Sequence, residues 1–369
     1  MKIGFLLLQN HGGIGGTEQV LIDICHGFEQ KGIESHIYFT HQPQHVEFSR
    51  QFKHTNSYPV PRLLRDKHPL RPRFLFKYFF KRNTIELFNK IKEDKLDAVL
   101  VLDLDSSFLQ HHALITDLKQ STHIPIIAWP HGSIKQMLKQ QQDFFQKMQI
   151  FDAIFAISDG LSKEMNQLGL KNITTVYNPI TQAPIIKRNI KKLLYIGRID
   201  DNKRVYELVQ LVSRLDDAEW TLDIIGSTGK KEQDKQFSQF INKYNTRQQI
   251  VFHGWKKDPW SQVEEAGILL LNSKSEGFAL VLAEAMTRGI PCISSNCPVG
   301  PADIIHSGHN GWLFDPDNED ELLTILNSIL NGSLALPAAK EIQNSVQKFE
   351  YSNVVNRFIQ ALEHTIQRQ

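Results

Sequence analysis

The sequence is poor in cysteine. Its 369 residues include only Cys25, Cys292 and Cys297, an odd and sparse set that excludes a secreted disulfide framework. No Cys-x-x-Cys pair points to structural zinc. Long apolar runs are also lacking. The N-terminal run ends at Leu8 and no stretch reaches about 18 apolar residues, so no membrane span is predicted, and no signal-type cleavage site follows the first run. Net charge is nearly absent: 42 Lys and Arg against 40 Asp and Glu leave a formal +2, which as an average argues against a nucleic-acid binder. What is present is ordinary globular composition, 41% hydrophobic and 22% charged, which excludes a mainly disordered chain. At roughly 150 residues per domain the length calls for about two domains, each able to bury its own core. Together these features predict a cytoplasmic protein, soluble or peripheral to a membrane.

The chain opens with a buried strand, Ile3–Leu8, then the loop Gly12–Gly16, a helix through Val20, Leu21, Ile24 and Phe28, and a strand at Ser35–Thr40. Strand, glycine loop, helix, strand is the start of a doubly wound α/β domain. Further strands are predicted at Ala98–Leu102, Ile124–Trp129, Ala153–Ile157 and Ile173–Tyr177, with helices at Thr84–Lys95 and Ile134–Met148. After the basic, polar stretch Lys187–Lys192 the pattern restarts. Strands are predicted at Leu193–Ile196, Thr221–Ile225, Ile250–Phe252, Gly267–Leu271 and Pro291–Ser294. Helices are predicted at Val205–Arg214, Lys235–Tyr244, Ala279–Arg288 and Asp320–Leu330. The predicted organisation is an N-terminal Rossmann-like domain over residues 1–182, a second over 183–345, and a C-terminal helix over 346–369. Spacing alone does not say which domain that helix joins. A ligand is expected at the C-terminal ends of the strands, in a cleft between the two domains.

Five segments can carry chemistry. In Ser275–Ala285, Glu276 closes a loop and Glu284 lies eight residues on, inside a run of strong helix formers. Both can accept hydrogen bonds from sugar hydroxyls, and the helix start near Phe278, Ala279 and Leu280 suits a diphosphate. The bland reading is a capping loop and a surface glutamate. Gly197-Arg198 followed by Lys203 and Arg204 puts cations at a strand end, where they can grip a departing diphosphate without a metal; the alternative is a solvated turn. Gly12–Gly16 permits close backbone approach to a ligand, although its spacing is not the GxGxxG fingerprint. Trp129-Pro130-His131-Gly132 places His131 after a strand, as a sugar contact or a structural histidine. The pair His111-His112 reads as exposed on a helix. Finally, Arg62–Arg82 holds eight Lys or Arg and one Asp, interleaved with Phe74, Phe76, Tyr78, Phe79 and Phe80. It carries a formal +7, which leaves −5 for the rest of the chain. This suits an anionic bilayer surface; it would also suit RNA, but no recognition motif supports that.

With these residues together and in this order, the chain resembles the retaining glycosyltransferases of family 4, which have the GT-B fold, two Rossmann-like doubly wound α/β domains facing each other across a cleft. The match rests on Glu276-x7-Glu284, Gly197-Arg198 with Lys203, the glycine loop, Trp129–Gly132, Asn178-Pro179 and Gly300–Asp303, and spans nearly the whole chain. Within the family it is most similar to the lipopolysaccharide-core group, through features that include Trp255–Trp260. The resemblance implies that Arg198 and Lys203 bind the donor diphosphate, Glu276 holds the transferred sugar, and Glu284 binds the ribose. Phe278, Ala279 and Leu280 would assist through backbone groups. His131 would contact the sugar near its 6-hydroxyl, and Gly13, Ile14 and Gly16 would lie between donor phosphate and acceptor. The base would rest near Gly226 and His253, Gly254 and Trp255. The turn before Lys203 departs from the family's usual form, so Lys203 could share its role with Arg204. In the family the last helix returns to the first domain.

The implied activity is retaining transfer of a hexose, galactose or glucose, from a UDP-sugar to a lipopolysaccharide or lipooligosaccharide core acceptor. No metal or other cofactor is expected, and no nucleic-acid partner. The expected location is the cytoplasmic face of the inner membrane, held peripherally through Arg62–Arg82. Two alternatives are a transferase using UDP-N-acetylglucosamine on another glycan and a UDP-sugar epimerase of the same fold.

Overall fold

The computed structural model describes residues 1–9, 15–41, 46–57, 73–135, 143–216, 219–244 and 249–368. The chain forms two compact units, one of Met1–Pro179 with Tyr351–Gln369 and the other of Ile180–Glu350.

The first unit contains a seven-stranded sheet in the order β3-β2-β1-β4-β5-β6-β7. Its strands are β1 (Lys2–Leu7), β2 (Glu34–Phe39), β3 (His54–Ser57), β4 (Ala98–Val101), β5 (Ile126–Ala128), β6 (Ala153–Ala156) and β7 (Ile173–Thr175). All neighbours pair in parallel. The central strands are apolar on both faces because helices cover a parallel sheet on both sides; Ala98, Val99, Leu100 and Val101 are all fully buried. The edge strand β3 is polar, His-Thr-Asn-Ser, and mostly exposed, so no apolar period marks it in the sequence. The helix Ser106–Thr122 carries the pair His111-His112, as the sequence predicts, and extends well to either side of it. Its N-terminus is capped by Asp105, whose carboxylate accepts from the Ser107 N–H at 2.7 Å.

The C-terminal helix Tyr351–Gln367 belongs to this unit. Phe358 meets Phe28, Trp129 and Phe155 edge-on, with ring centroids 5.4, 5.0 and 5.4 Å away. Gly27 lets the helix Gly16–Gln30 come close, since a Cβ there would lie 2.5 Å from a Val355 methyl. The Tyr351 hydroxyl donates to the Asp23 carbonyl at 3.0 Å.

The second unit contains a six-stranded parallel sheet, β10-β9-β8-β11-β12-β13. Its strands are β8 (Lys187–Arg198), β9 (Thr221–Ser227), β10 (Ile250–Gly254), β11 (Glu265–Leu271), β12 (Cys292–Ser295) and β13 (Gly311–Phe314). β8 begins earlier than its apolar run. Lys187 and Arg188 pair in register with Glu265 and Ala266, and Glu265 meets Lys187 at 3.0 Å and Lys192 at 3.6 Å. A stretch read as polar connection is therefore strand, its charges matched across the ladder. Gly197 and Gly226 pair on β8 and β9. A Cβ on Gly226 would fall 1.8 Å from the Gly197 carbonyl oxygen, so only glycine fits. The doubly wound plan is thus present in each unit.

Two details of the first unit differ from the sequence reading. His111 is buried, 4% exposed, and its Nδ1 donates to the Ser107 carbonyl at 2.7 Å; the pair His111-His112 is not an exposed one. Ile134 stands in a loop. The described helix of that region is Phe144–Met148, and residues 136–142 lie outside the described residues.

Candidate active site

In a doubly wound sheet the ligand crevice opens where the strand order reverses, outside the carboxyl ends of the strands. In the second unit that point is between β8 and β11. The loops following these two strands hold the cations and the first glutamate of the predicted set. Lys203 Nζ lies 2.5 Å from Glu276 Oε1, and both side chains are largely enclosed, 16% and 9% exposed. Arg198, at the end of β8, is 74% exposed and reaches Asp200 at 3.3 Å. Asp200 also fixes the turn: its carboxylate accepts from the N–H groups of Asn202 and Lys203 at 3.1 and 3.0 Å.

The two loops are stitched together. The Lys274 N–H donates to the Asn202 carbonyl at 2.7 Å, and the Asn202 amide donates to the Ser275 carbonyl at 2.8 Å. Arg204 donates through Nε to the Asn272 carbonyl at 2.9 Å and through Nη2 to its side-chain oxygen at 2.7 Å. Nη1 donates to the Pro316 carbonyl at 3.2 Å and lies 3.2 Å from Glu319. Its guanidinium thus ties the turn after Lys203 to the end of β11. Asn202 and Asn272 escaped the sequence reading; an asparagine directly after the apolar run of β11 was the available signal. The Tyr195 hydroxyl donates to the Arg198 carbonyl at 2.5 Å, and burial, with Glu276 and Asp200 nearby, raises its pKa well above the usual phenol range.

Glu284 sits on the helix Leu280–Thr287. Its carboxylate accepts from the Trp260 indole N–H at 2.9 Å. Ala279, just before this helix, is left-handed at φ 65°, so no side chain caps the first turn. Phe278 is buried and meets Phe349 edge-on at 5.0 Å. Gly300, at φ 100°, lies against the Phe278 backbone, where a Cβ would approach to 3.0 Å. This seats the Gly300–Asp303 loop on the glutamate loop. At the far edge, His253 Nε2 lies 2.6 Å from Asp223 Oδ1, Gly254 is left-handed at φ 70°, and Trp255 is exposed. Asp234 accepts from the Ser227 hydroxyl at 2.7 Å and the Thr228 N–H at 2.7 Å beyond the end of β9. Burial alone would raise its carboxyl, but these bonds hold it below the ordinary range.

In the first unit the order reverses between β1 and β4. Gly13 and Ile14 lie outside the described residues; Gly16 opens the helix Gly16–Gln30, with open space where a Cβ would stand. Asp103, after β4, accepts from the N–H groups of Leu8 and Gln9 at 2.7 and 3.0 Å and so fixes the chain as it leaves β1. His131 packs edge-on to Trp129 at 4.6 Å. Two residues on, the Ser133 hydroxyl donates to the buried Glu164 at 2.7 Å. Of Arg62–Arg82, residues 62–72 lie outside the described residues; Tyr78 is exposed and Arg82 pairs with Glu86 at 3.2 Å.

Among the described residues one set has metal-ligand atoms within 4.8 Å of one another, Glu34, His36 and His54. The two imidazoles stack at 4.5 Å with planes 8° apart, which aims their lone pairs in parallel rather than at one ion. The set stands on β2 and β3 and includes none of the predicted site residues. No helix among the described residues is long and apolar enough to cross a membrane.

Two protein families match the chain, Glycosyl transferases group 1 over residues 178–349 and Glycosyltransferase Family 4 over residues 14–183. Lipopolysaccharide 1,6-galactosyltransferases of Salmonella typhimurium and Escherichia coli are each 28% identical to it. The alignments cover 90% of this chain and 91% of the former protein, and 100% of both for the latter. The apo structure of the lipopolysaccharide outer core galactosyltransferase WaaB superimposes with a TM-score of 0.79 at 25% identity, over 99% of each chain. HepE from Anabaena, solved with UDP, has a TM-score of 0.75 at 16% identity over 99% of this chain and 100% of its own, a likeness of fold.

Proposed function

Because the chain belongs to the family 4 glycosyltransferases of GT-B fold, we propose that it transfers a hexose, galactose or glucose, from a UDP-sugar to a lipopolysaccharide core acceptor with retention of configuration. The observation that carries this reading is the Lys203–Glu276 pair at the switch point of the second unit, 2.5 Å apart, beside the exposed Arg198. Without donor the two groups neutralise one another. When a UDP-sugar binds, its diphosphate takes Lys203 and Arg198, and Glu276 turns to the hydroxyls of the sugar. The uncapped helix start at Leu280 adds N–H groups to the same anion. Glu284 takes the ribose, His131 contacts the transferred sugar near its 6-hydroxyl, and the first unit takes the acceptor.

In the transfer step the acceptor oxygen forms its bond to C1 on the face from which the UDP oxygen departs. The C1–O bond breaks with its electron pair on the phosphate, and the acceptor's proton passes to that phosphate oxygen. Arg198 and Lys203 stabilise the developing charge, so the step is assigned no metal. The donor sugar is galactose by analogy with the two lipopolysaccharide 1,6-galactosyltransferases. The basic stretch Arg62–Arg82 holds the enzyme to the anionic cytoplasmic face of the inner membrane, where lipid-linked acceptors are presented.

The test is UDP release from UDP-galactose and UDP-glucose with lipooligosaccharide in anionic or neutral vesicles, with the product mass measured. Release requires the acceptor and is faster on anionic vesicles. Arg198→Ala lowers turnover at limiting donor about 100-fold; unchanged turnover would overturn the phosphate assignment.

A further inference from the structure

The two glutamates of the second unit are held in different ways. Glu276 is matched by a cation that itself belongs to the diphosphate site. Glu284 accepts from a neutral donor, the indole N–H of Trp260, at 2.9 Å, with the Arg288 guanidinium near enough to interact with its charge. Trp260 comes from the short 3-10 turn Trp260–Gln262, which follows Pro259 in the connection from β10 to β11. Its ring is clamped by Arg288, whose guanidinium carbon stands 4.2 Å from the ring centroid. Arg288 is one turn beyond Glu284 on the same helix. It donates to the Glu284 carbonyl at 2.8 Å and to the Thr287 hydroxyl at 3.3 Å. The three side chains form a closed set: Arg288 holds the indole, the indole holds the carboxylate, and the helix backbone holds Arg288.

We propose that Trp260 is a positioning residue that fixes the Glu284 carboxylate for the ribose hydroxyls of the donor nucleotide. The inference rests on the reading of Glu284 as the ribose ligand. A glutamate on a helix surface samples many rotamers, and ordering it on binding costs affinity. The indole makes that ordering permanent. It is a donor only and does not titrate, so it orients the carboxylate without taking its negative charge. A lysine or arginine in its place would form an ion pair that the ribose hydroxyls would have to displace.

The experiment compares binding of UDP and 2′-deoxy-UDP to the full chain by calorimetry, with donor kinetics beside it. Trp260→Phe keeps an aromatic ring for Arg288 and removes the N–H together with part of the ring system, so 2′-deoxy-UDP serves as the control for lost packing. The variant is expected to weaken UDP about tenfold, to weaken 2′-deoxy-UDP less, and to raise KM for the donor with kcat within about twofold. Glu284→Gln is the reference and is expected to lose the preference for UDP more fully. If Trp260→Phe weakens both nucleotides equally, or neither, while Glu284→Gln loses the preference, the positioning role is overturned. If Glu284→Gln keeps the preference, the ribose reading itself fails. Thermal melting of both variants separates these outcomes from loss of fold.

Discussion

The two units share a sheet plan and differ in how they are closed. The second is one continuous segment, Ile180–Glu350, and its functional loops are locked to each other by side chains. The first is closed by a helix, Tyr351–Gln367, taken from the far end of the chain. Among its described residues, the segments that follow β1 and β4 are joined where Asp103 accepts from the backbone N–H groups of Leu8 and Gln9 and where the Gln9 amide donates to Asp105. The difference is one of chemistry. On the function proposed above, a diphosphate calls for fixed cations that cannot collapse onto wrong partners; in the second unit Asn202 ties the Lys203 turn to the loop of Glu276, while Arg204 holds Asn272. The first unit spends its order on an aromatic core.

The strongest way to break this contrast is at Phe358. Its ring meets Phe28, Trp129 and Phe155 and is fully buried. Phe358→Ala should cost about 3–5 kcal/mol through lost burial and the cavity left behind. Hydrogen exchange should show the seven-stranded sheet opening while protection in the six-stranded sheet persists. Equal loss in both sheets would mean that the units do not have separate stabilities.

Arg204 sharpens the comparison from the other side. Arg204→Met leaves the Asn272 carbonyl and side-chain oxygen without these donors, at a cost of about 2 kcal/mol to the fold of the second unit. UDP affinity should stay within about threefold of the parent once folded protein is counted. A stable variant with UDP binding lost would instead put Arg204 on the phosphate beside Lys203.

Much of this was legible in the sequence because central strands of parallel sheets are apolar on both faces. β1, β4, β6 and β11 announce themselves in that way. β3 does not, since an edge strand of His-Thr-Asn-Ser has no apolar period. The charged start of β8 reads as connection until Glu265, nearly eighty residues on, is seen opposite it. The same division runs through the site. Glu276 and Lys203 stand in short, spaced motifs, but their pairing spans 73 residues. The bonds of Asn272 to Arg204 and of Trp260 to Glu284 depend on which loops the sheet order makes neighbours, which no local spacing encodes. His111 was misread because the adjacent His-His pair resembles surface polarity, while helix geometry turns only its first member inward.

His111 gives the smallest and most specific test. Burial lowers its pKa from the ordinary 6.5, opposed by its bond to Ser107 and by the nearby Asp103. On acidification the unfolded chain therefore takes up its proton before the folded one does. The sign follows from linkage: stability is full above about pH 6.5, falls as pH drops below that value, and stops falling once the folded-state pKa is passed. His112 shifts in the same direction for the same first cause, burial, and adds to the slope. His111→Asn keeps a donor for the Ser107 carbonyl and removes the titration. Denaturant melts at pH 7 and pH 5.5 should then differ by up to about 1 kcal/mol less than in the parent, with the change confined to the exchange behaviour of the seven-stranded unit. If parent and variant lose stability in parallel, the slope comes from other groups and the buried histidine is not titrating in this range.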